Sequence, residues 1–237
     1  TNPLDLDFRL VENQPYDEVI NVESSDENIE ECGGVLFEAR AWAPWQTMGA
    51  CCATEGANPL DLDFSELGTQ KTPIQKTELR AMTLDQLQQL IAFIDRHADK
   101  DGFLHDSNGQ PWLDWEGQTL HKDRINLYDV TKYIIKPATA KQKCSYVELV
   151  APAGTTSQEP KWFVSHWWGE PVKDFFEALK KHAEVRGLKK TDAYWVCAYA
   201  NNQHDLGSEI PTDPKESAFF KAMQLAEVRA ISACDQM

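Results

Sequence analysis

Polar side chains able to hydrogen-bond a ligand gather at three places in the last third of the chain. They are Ser165, His166, Trp168 and Glu170, then Asn201, Asn202, Gln203 and His204, and finally Asp235. Amides, carboxylates and indoles of this kind can hold a sugar, a nucleobase or a peptide. The same groups can also close a sheet edge as a structural hydrogen-bond network. We therefore treat them as candidate ligand-binding residues and keep both interpretations open.

The candidate catalytic residues are His166 and Asp205. Ser165 beside His166 suggests a nucleophile and its base, but neighbouring residues of a strand point to opposite faces. His166 can instead pair with Asp205 or Asp235, although no motif fixes either pair. The sequence has no nucleophile elbow, dinucleotide-binding or phosphate-loop motif. No cysteine pair or histidine cluster has metal spacing, so we predict no metal site and no cofactor, and we favour a non-enzyme.

A predicted βαβαβ unit from about Lys161 to Cys234 must position these residues. Its predicted strands are 162–168, 193–200 and 228–233. Its first helix begins at Pro171 and stops at Gly187, and its second begins after the N-cap Asp213. Strands joined by helical crossovers of this kind lie parallel, and ligands bind beyond their carboxyl ends. The three polar loops are therefore expected to lie near each other at one edge of a sheet.

The region before this unit begins with a clear helix signal. Thr83 as N-cap and Gln86 three residues later make a capping box, and the apolar spacing continues the helix to about Ala98. The acidic stretch that follows partly imitates a calcium loop. However, His97 stands at its first position and Asn108 at its twelfth, where carboxylates are needed, so we interpret it as a polar turn.

A second helix and a short strand are predicted further along. The helix runs from the cap Asn126 to Ile134 and is stopped by Pro137. The mostly apolar residues Tyr146–Val150 predict a short strand. Together, residues 81–158 make a helical and loop region that packs on the βαβαβ unit.

Residues 1–80 are predicted to form an acidic, mostly extended segment. The 237-residue chain carries a net charge of −15, and residues 1–70 hold 15 acidic against 2 basic residues. Such a segment repels nucleic acid and suits a protein partner with a basic surface. No apolar run is long enough to span a bilayer, and the N-terminus is not a signal peptide. We expect an intracellular protein, either in solution or peripheral to a membrane complex, with its compartment left open.

One heptapeptide occurs twice in the acidic segment. Asn-Pro-Leu-Asp-Leu-Asp-Phe is found at residues 2–8 and again at residues 58–64. In an extended chain its apolar and acidic side chains alternate between two sides, as in a docking peptide. The candidate partner-docking residues are Leu4, Leu6, Phe8, Leu60, Leu62 and Phe64. The alternative, which we rate higher, is that both copies pack on their own domain.

The C-terminal unit resembles a known sequence family. Residues 163–169, FVSHWWG, followed by residues 194–203, YWVCAYANNQ, resemble a large, uncharacterised family of algal, dinoflagellate-type proteins. More distantly, the Phe-Val-Ser-His start is similar to the first strand of Toll/interleukin-1 receptor-like (TIR-like) domains. That resemblance implies assembly through homotypic contacts, and in some members NAD cleavage by a glutamate on a later helix. The chain ends at Met237, before such a helix, and neither Glu170 nor Glu209 matches that glutamate.

These observations combine into one expectation. The fold class is α/β: a partial doubly wound, TIR- or flavodoxin-like parallel sheet at 159–237, with a small helical region at 81–158 and the acidic segment at 1–80. The expected function is a non-catalytic interaction or assembly subunit that docks to a larger protein complex. The alternative is a TIR-like hydrolase of a nucleotide such as NAD, or of a sugar, acting through the strand-end loops.

Overall fold

A small mixed sheet lies at the centre of the part of the chain that the structure describes. The structure is a computed structural model and describes residues 63–68, 73–209, 211, 213–226 and 230–233. The strands are β1 Met82–Thr83, β2 Pro160–His166, β3 Ala193–Val196 and β4 Ala230–Ala233. Their order across the sheet is β1–β3–β2–β4. β3, β2 and β4 are parallel, and β1 is an antiparallel edge strand beside β3.

Helices connect and cover these strands, so the predicted α/β class is confirmed. The helices are α1 Leu84–Arg96, α2 Leu127–Val130, α3 Lys136–Thr139, α4 Tyr146–Val150, α5 Val172–Arg186, α6 Cys197–Ala200, α7 Leu206–Glu209 and α8 Ala218–Leu225. α5 connects β2 with β3, and the segment with α8 connects β3 with β4. The predicted strand–helix alternation of the C-terminal unit is therefore present. None of the helices in the described residues is long and apolar enough to cross a membrane.

Two hydrophobic cores receive alternate side chains of β2 and β3. In the large core, Trp162 and Val164 of β2 lie with Tyr194 and Val196 of β3, and α5 contributes Phe175. In the small core, Phe163 lies with Trp195 of β3 and with alanines of α8. The Phe163 and Trp195 rings stack with their centroids 5.4 Å apart. Because strand side chains alternate between faces, the middle of the sheet is buried on both sides.

The capping signals at two helices are confirmed. The Thr83 hydroxyl accepts the backbone N–H of Gln86, and the Gln86 side chain accepts the N–H of Thr83, so α1 begins with the predicted capping box. Gly187 follows α5 with φ 59°, the left-handed conformation that glycine adopts without a steric penalty. Both ends depend on local chemistry and were therefore visible in the sequence.

The prediction of a strand at Tyr146–Val150 is wrong, because these residues form helix α4. Ser145 caps this helix: its hydroxyl accepts the N–H of Glu148, whose carboxylate accepts the N–H of Ser145 at 2.9 Å. The same carboxylate lies 3.6 Å from the Arg80 guanidinium, and both side chains are buried. A Ser-x-x-Glu capping box therefore decides for a helix in this short, mostly apolar stretch.

Pro137 does not end the second helix, contrary to our prediction. A π-helical turn at Thr131–Ile135 connects α2 to α3. The backbone N–H of Lys136 reaches back five residues to the carbonyl of Thr131. Pro137 is then the second residue of α3, where a helix needs no N–H donor. The π-helical turn thus allows the chain to continue as helix α3 through the proline.

Two predicted boundaries in the C-terminal unit also need correction. β3 ends at Val196, and the apolar residues that follow it form α6. A buried apolar run does not distinguish a strand from a buried helix. Asp213 caps a 3-10 turn at Pro214–Glu216, and α8 begins after a separate cap, Ser217. The last strand, at Ala230–Ala233, lies within the predicted range, and residues 228–229 lie outside the described residues.

Three consecutive hairpins between α1 and α2 are built around the same turn. They occupy residues 98–104, 105–111 and 113–119, whose end residues pair in each case. Each turn begins with an aspartate, Asp99, Asp106 or Asp114, and has a glycine three residues later with φ of 89°, 75° and 81°. One oxygen of each aspartate accepts the backbone N–H groups two and four residues on, at 2.8–2.9 Å. The first hairpin is the segment interpreted as a polar turn.

The three hairpins close a cycle of backbone hydrogen bonds. The N–H of Leu104 donates to the carbonyl of Leu120, Leu120 to Trp112, and Trp112 to Leu104, at 2.8–2.9 Å. All three side chains are buried, and the Trp112 ring stacks on Tyr133 at 4.9 Å. The three hairpins, residues 98–119, thus form one unit, here called the hairpin unit.

Substituting Gly102 by alanine should destabilise the protein more than substituting Gly109. Both glycines have positive φ, which costs an alanine about 1–2 kcal/mol. A Cβ at Gly102 would also lie 2.1 Å from Nε2 of His121, whereas nothing lies within 4 Å at Gly109. Displacing His121 breaks its hydrogen bond to the Asp101 carbonyl, adding about 1 kcal/mol. Urea unfolding measures both variants, and equal losses would contradict the proposed contact.

Candidate functional site

The carboxyl ends of the parallel strands meet at one edge of the sheet, as predicted. Val164 of β2 pairs with Val196 of β3, and His166 pairs with Ala233 of β4. The loops that follow β2 and β3 are joined by a hydrogen bond of 3.4 Å from the Trp168 indole to the Cys197 sulfur. This edge therefore brings together the first two groups of candidate residues. Asp235 lies outside the described residues.

The amide side chains that follow β3 bind the protein's own carbonyl groups. Asn201 donates to Cys197, Asn202 to Lys143 and Gln203 to Ala198, at 3.1, 2.7 and 3.0 Å. The His204 ring lies 2.9 Å from the Thr139 hydroxyl. Asn201 and Gln203 are buried. These bonds tie the loop to α6 and to the segment after α3, so these amide donors serve the fold.

His166 is held as a neutral ring. Both of its nitrogens are inaccessible to solvent and have no hydrogen-bond partner among the described residues, so it is not paired with Asp205. The ring stacks on Phe175 in the first turn of α5, with centroids 4.3 Å apart. Burial lowers the pKa of His166 to about 4. A base this weak accepts a proton poorly at neutral pH, and Ser165 points to the opposite face of the strand.

The loop after β2 presents one tryptophan to solvent and buries the other. Trp168 is buried and contacts Tyr128 at 5.3 Å between ring centroids. Trp167 is 66 % exposed. A Cβ at Gly169 would lie 2.3 Å from the Trp167 ring, so the indole rests directly on the glycine backbone. Glu170 is buried, and its N–H donates to the Trp167 carbonyl at 3.2 Å.

A second polar region adjoins this loop. Residues 125–127 run antiparallel to residues 168–172, because Leu127 donates to the Trp168 carbonyl and Val172 to the Ile125 carbonyl. On the other side of this segment is an open cleft of about 100 Å³. Its polar and aromatic lining consists of Asp114, Trp115, Thr119, His121, Arg124, Asn126 and Asp129. Sequence reasoning missed this cleft, although the recurring D-x-x-G spacing of the hairpin unit was a signal for it.

No cation site or activated thiol is found in the described residues. No group of three or more His, Cys, Asp or Glu side chains there is arranged to hold a metal ion. Cys144 and Cys197 are free, and burial raises the pKa of each thiol to about 11. Neither thiol is therefore ionised to a nucleophile at neutral pH.

Of the candidate docking residues, only Phe64 lies in the described part of the chain. Its ring stacks on Phe93 of α1 at 5.6 Å, next to the 3-10 turn Ser65–Leu67, which buries Leu67. This phenylalanine thus packs on its own domain. The other candidates, Leu4, Leu6, Phe8, Leu60 and Leu62, lie outside the described residues.

The chain was compared with models of protein families, with curated proteins and with solved structures. No family model, curated protein or solved structure matches it.

Replacing His166 by phenylalanine should make the protein less sensitive to acid. The unfolded chain protonates this histidine near pH 6.5, whereas the folded protein does so only at about 4. Stability is therefore lost as pH falls from about 6.5 to 4, by up to about 1.4 kcal/mol per pH unit. Phenylalanine cannot take up a proton, so this part of the slope should vanish.

Urea unfolding of both proteins between pH 7.5 and 4 measures the effect. The difference in the free energy of unfolding between the variant and the wild type should change in favour of the variant as pH falls. A difference that stays constant over this range would show that His166 is not buried in its neutral form.

Proposed function

We propose that the chain is a non-catalytic interaction subunit that docks onto a protein partner at the edge where β2 ends. The observation that carries this proposal is the exposed indole of Trp167, seated on Gly169 beside a loop whose amides are already bonded to the protein. Tyr128, whose side chain is 44 % exposed, contacts Trp168 of the same loop. Trp167 and Tyr128 are here called the aromatic surface.

The residue types of this surface support a protein partner. Tryptophan and tyrosine are enriched among the residues that dominate binding energy at protein interfaces. Their rings bury a large area at a small cost in side-chain entropy, since each has only two rotatable bonds. Trp167 is further fixed by its contact with Gly169. A tryptophan held in place before binding contributes its contact area to the complex without first being ordered.

The titrating groups at the same edge favour binding over catalysis. His166 is neutral and its ring nitrogens are shielded from solvent, and the thiol of Cys197 stays protonated. Catalytic groups usually have a pKa close to the working pH or an adjacent activating partner. Neither group meets that requirement in this conformation.

The charge of the N-terminal segment indicates the kind of partner. Residues 1–70 carry 15 acidic against 2 basic side chains, which favours association with a basic protein surface. The proposed subunit assembles inside the cell into a larger complex, either in solution or peripheral to a membrane.

We also propose that the sheet is the beginning of a doubly wound, TIR-like sheet. In support, β2 comes first in the parallel set and lies between β3 and β4, the strand order with which flavodoxin-like sheets begin. Further support comes from the connecting helices. α5 contributes to the large core and α8 to the small core, so the two helices cover opposite faces of the sheet, as in a doubly wound fold.

This strand order also favours one alternative function. β3 lies on one side of β2 and β4 on the other, so the order of the connections across the sheet reverses at β2. In open α/β sheets, ligands bind at the carboxyl ends of the strands at such a switch point. The buried Glu170 follows β2 at this edge. The alternative is therefore a hydrolase of NAD, a related nucleotide or a sugar.

Replacing Trp167 by alanine should abolish partner binding and leave the fold intact. Loss of a central interface tryptophan costs at least about 2 kcal/mol, roughly 30-fold in Kd. The measurement is quantitative co-purification of partners with the tagged full chain from native extract. The matched control is Val185→Ala, which removes an equally exposed apolar side chain from α5. Equal recovery of every partner with Trp167→Ala and with wild type would contradict docking through the aromatic surface.

Incubation with NAD and related nucleotides should give no turnover above that of buffer alone. The reason is the neutral, shielded state of His166. Chromatography of the reaction mixture detects the products. Turnover that is lost in both Glu170→Gln and Asp205→Ala would establish the alternative and refute the non-catalytic assignment.

A further inference from the structure

The three turns of the hairpin unit allow Trp115 to be compared with the residues at the equivalent position of the other two turns. Its three turns have the same hydrogen bonds, yet the residue after the aspartate is Lys100 in the first, Ser107 in the second and Trp115 in the third. The turn thus forms with a charged, a small or an aromatic side chain at this place. Trp115 is 89 % exposed, so its indole contributes almost nothing to the core. Neither turn geometry nor packing accounts for a tryptophan here.

Trp115 stands at the cleft beside the hairpin unit, among polar groups of three kinds. Asp114 and Asp129 supply carboxylates, Arg124 a guanidinium and Asn126 an amide. Arg124 is exposed and makes no ion pair within the described part of the chain. Its donors are therefore available to a ligand.

Asp129 is the buried member of this set, with only 8 % of its surface exposed. Burial raises the pKa of Asp129, and the negative charge of Asp114 contributes to the increase. The two carboxylates are therefore close enough to interact across the cleft. The N–H of Asn126 donates to one oxygen of Asp129 at 3.3 Å, and Asp114 is fixed by its turn. The polar groups thus have defined positions before any ligand arrives.

We propose that this cleft binds one sugar ring of a neutral carbohydrate, with Trp115 as its stacking platform. A pyranose has an apolar C–H face that packs on an indole and a rim of hydroxyls that each donate and accept hydrogen bonds. The Asn126 amide oxygen already caps α2, so the second oxygens of the two carboxylates match the hydroxyl donors, and Arg124 and the Asn126 amide N–H groups match the acceptors. Charges of both signs in the lining disfavour a simple anion or cation.

The size of the cleft indicates how the sugar is held. A volume of about 100 Å³ admits one edge of a ring and leaves the rest in solvent, so the bound residue can belong to a longer chain. This carbohydrate site is distinct from the aromatic surface proposed for protein docking, because it uses Trp115 and the hairpin unit instead of Trp167. Either proposal can fail without the other.

Indole N–H signals of the full-length, ¹⁵N-labelled protein test the proposal. The chain has eight tryptophans, and the signal lost in Trp115→Phe is that of Trp115. The probes are a panel of neutral mono- and oligosaccharides of glucose, galactose, mannose, xylose and N-acetylglucosamine. At least one should shift the Trp115 signal with saturation and leave that of Trp167 unchanged.

Variants then assign the binding to the cleft. Trp115→Ala should weaken binding of that sugar about tenfold or more, and Arg124→Ala, at an exposed position, should also weaken it. Lys100→Ala, the equivalent position of the first hairpin, should leave the affinity unchanged. The proposal is overturned if no sugar of the panel shifts the Trp115 signal, or if Trp115→Ala leaves sugar binding intact. It is equally overturned if Trp115→Ala abolishes capture of a protein partner and no sugar binds.

Discussion

The structure depends on the position of β2 between two hydrophobic cores. Trp162 and Val164 enter the large core, and Phe163 enters the small one. Burial of these side chains is the main stabilising contribution available to a strand in this position. Because β3 and β4 both pair with β2 in parallel, the direction of β2 decides at which edge their loops emerge. The placement of the described candidate residues after β2 and β3 follows from that constraint.

The polar side chains at that edge offer less for catalysis than the composition of the loops suggests. The amides after β3 donate to backbone carbonyls, and His166 stacks on Phe175 in its neutral form. The amides satisfy backbone carbonyls of α6 and of Lys143. The groups left for the proposed partner are the exposed aromatic rings of this edge. The same loop is joined by backbone hydrogen bonds to residues 125–127, which lead to the cleft beside the hairpin unit, so the two proposed binding surfaces share one base.

The sequence predicted those features that depend on local chemistry. The Thr83 capping box and the glycine that ends α5 follow from hydrogen bonding and backbone freedom within a few residues, and the parallel strands follow from the spacing of apolar runs. The features that were not predicted are those for which two sequence patterns favour different structures. Tyr146–Val150 is short and mostly apolar, like a buried strand, yet the Ser145–Glu148 capping box makes it a helix. The hairpin unit was readable from the spacing of Asp99, Asp106 and Asp114, but its closed hydrogen-bond cycle required coordinates.

The central claim is that the exposed ring at the end of β2 meets another protein. Photo-crosslinking tests it most directly, with a benzoylphenylalanine in place of Trp167 and, as control, in place of Val185 on the outer side of α5. After irradiation in native extract, we predict a discrete protein adduct at position 167 and none at position 185. The same adducts at both positions, or none at position 167, would contradict the account.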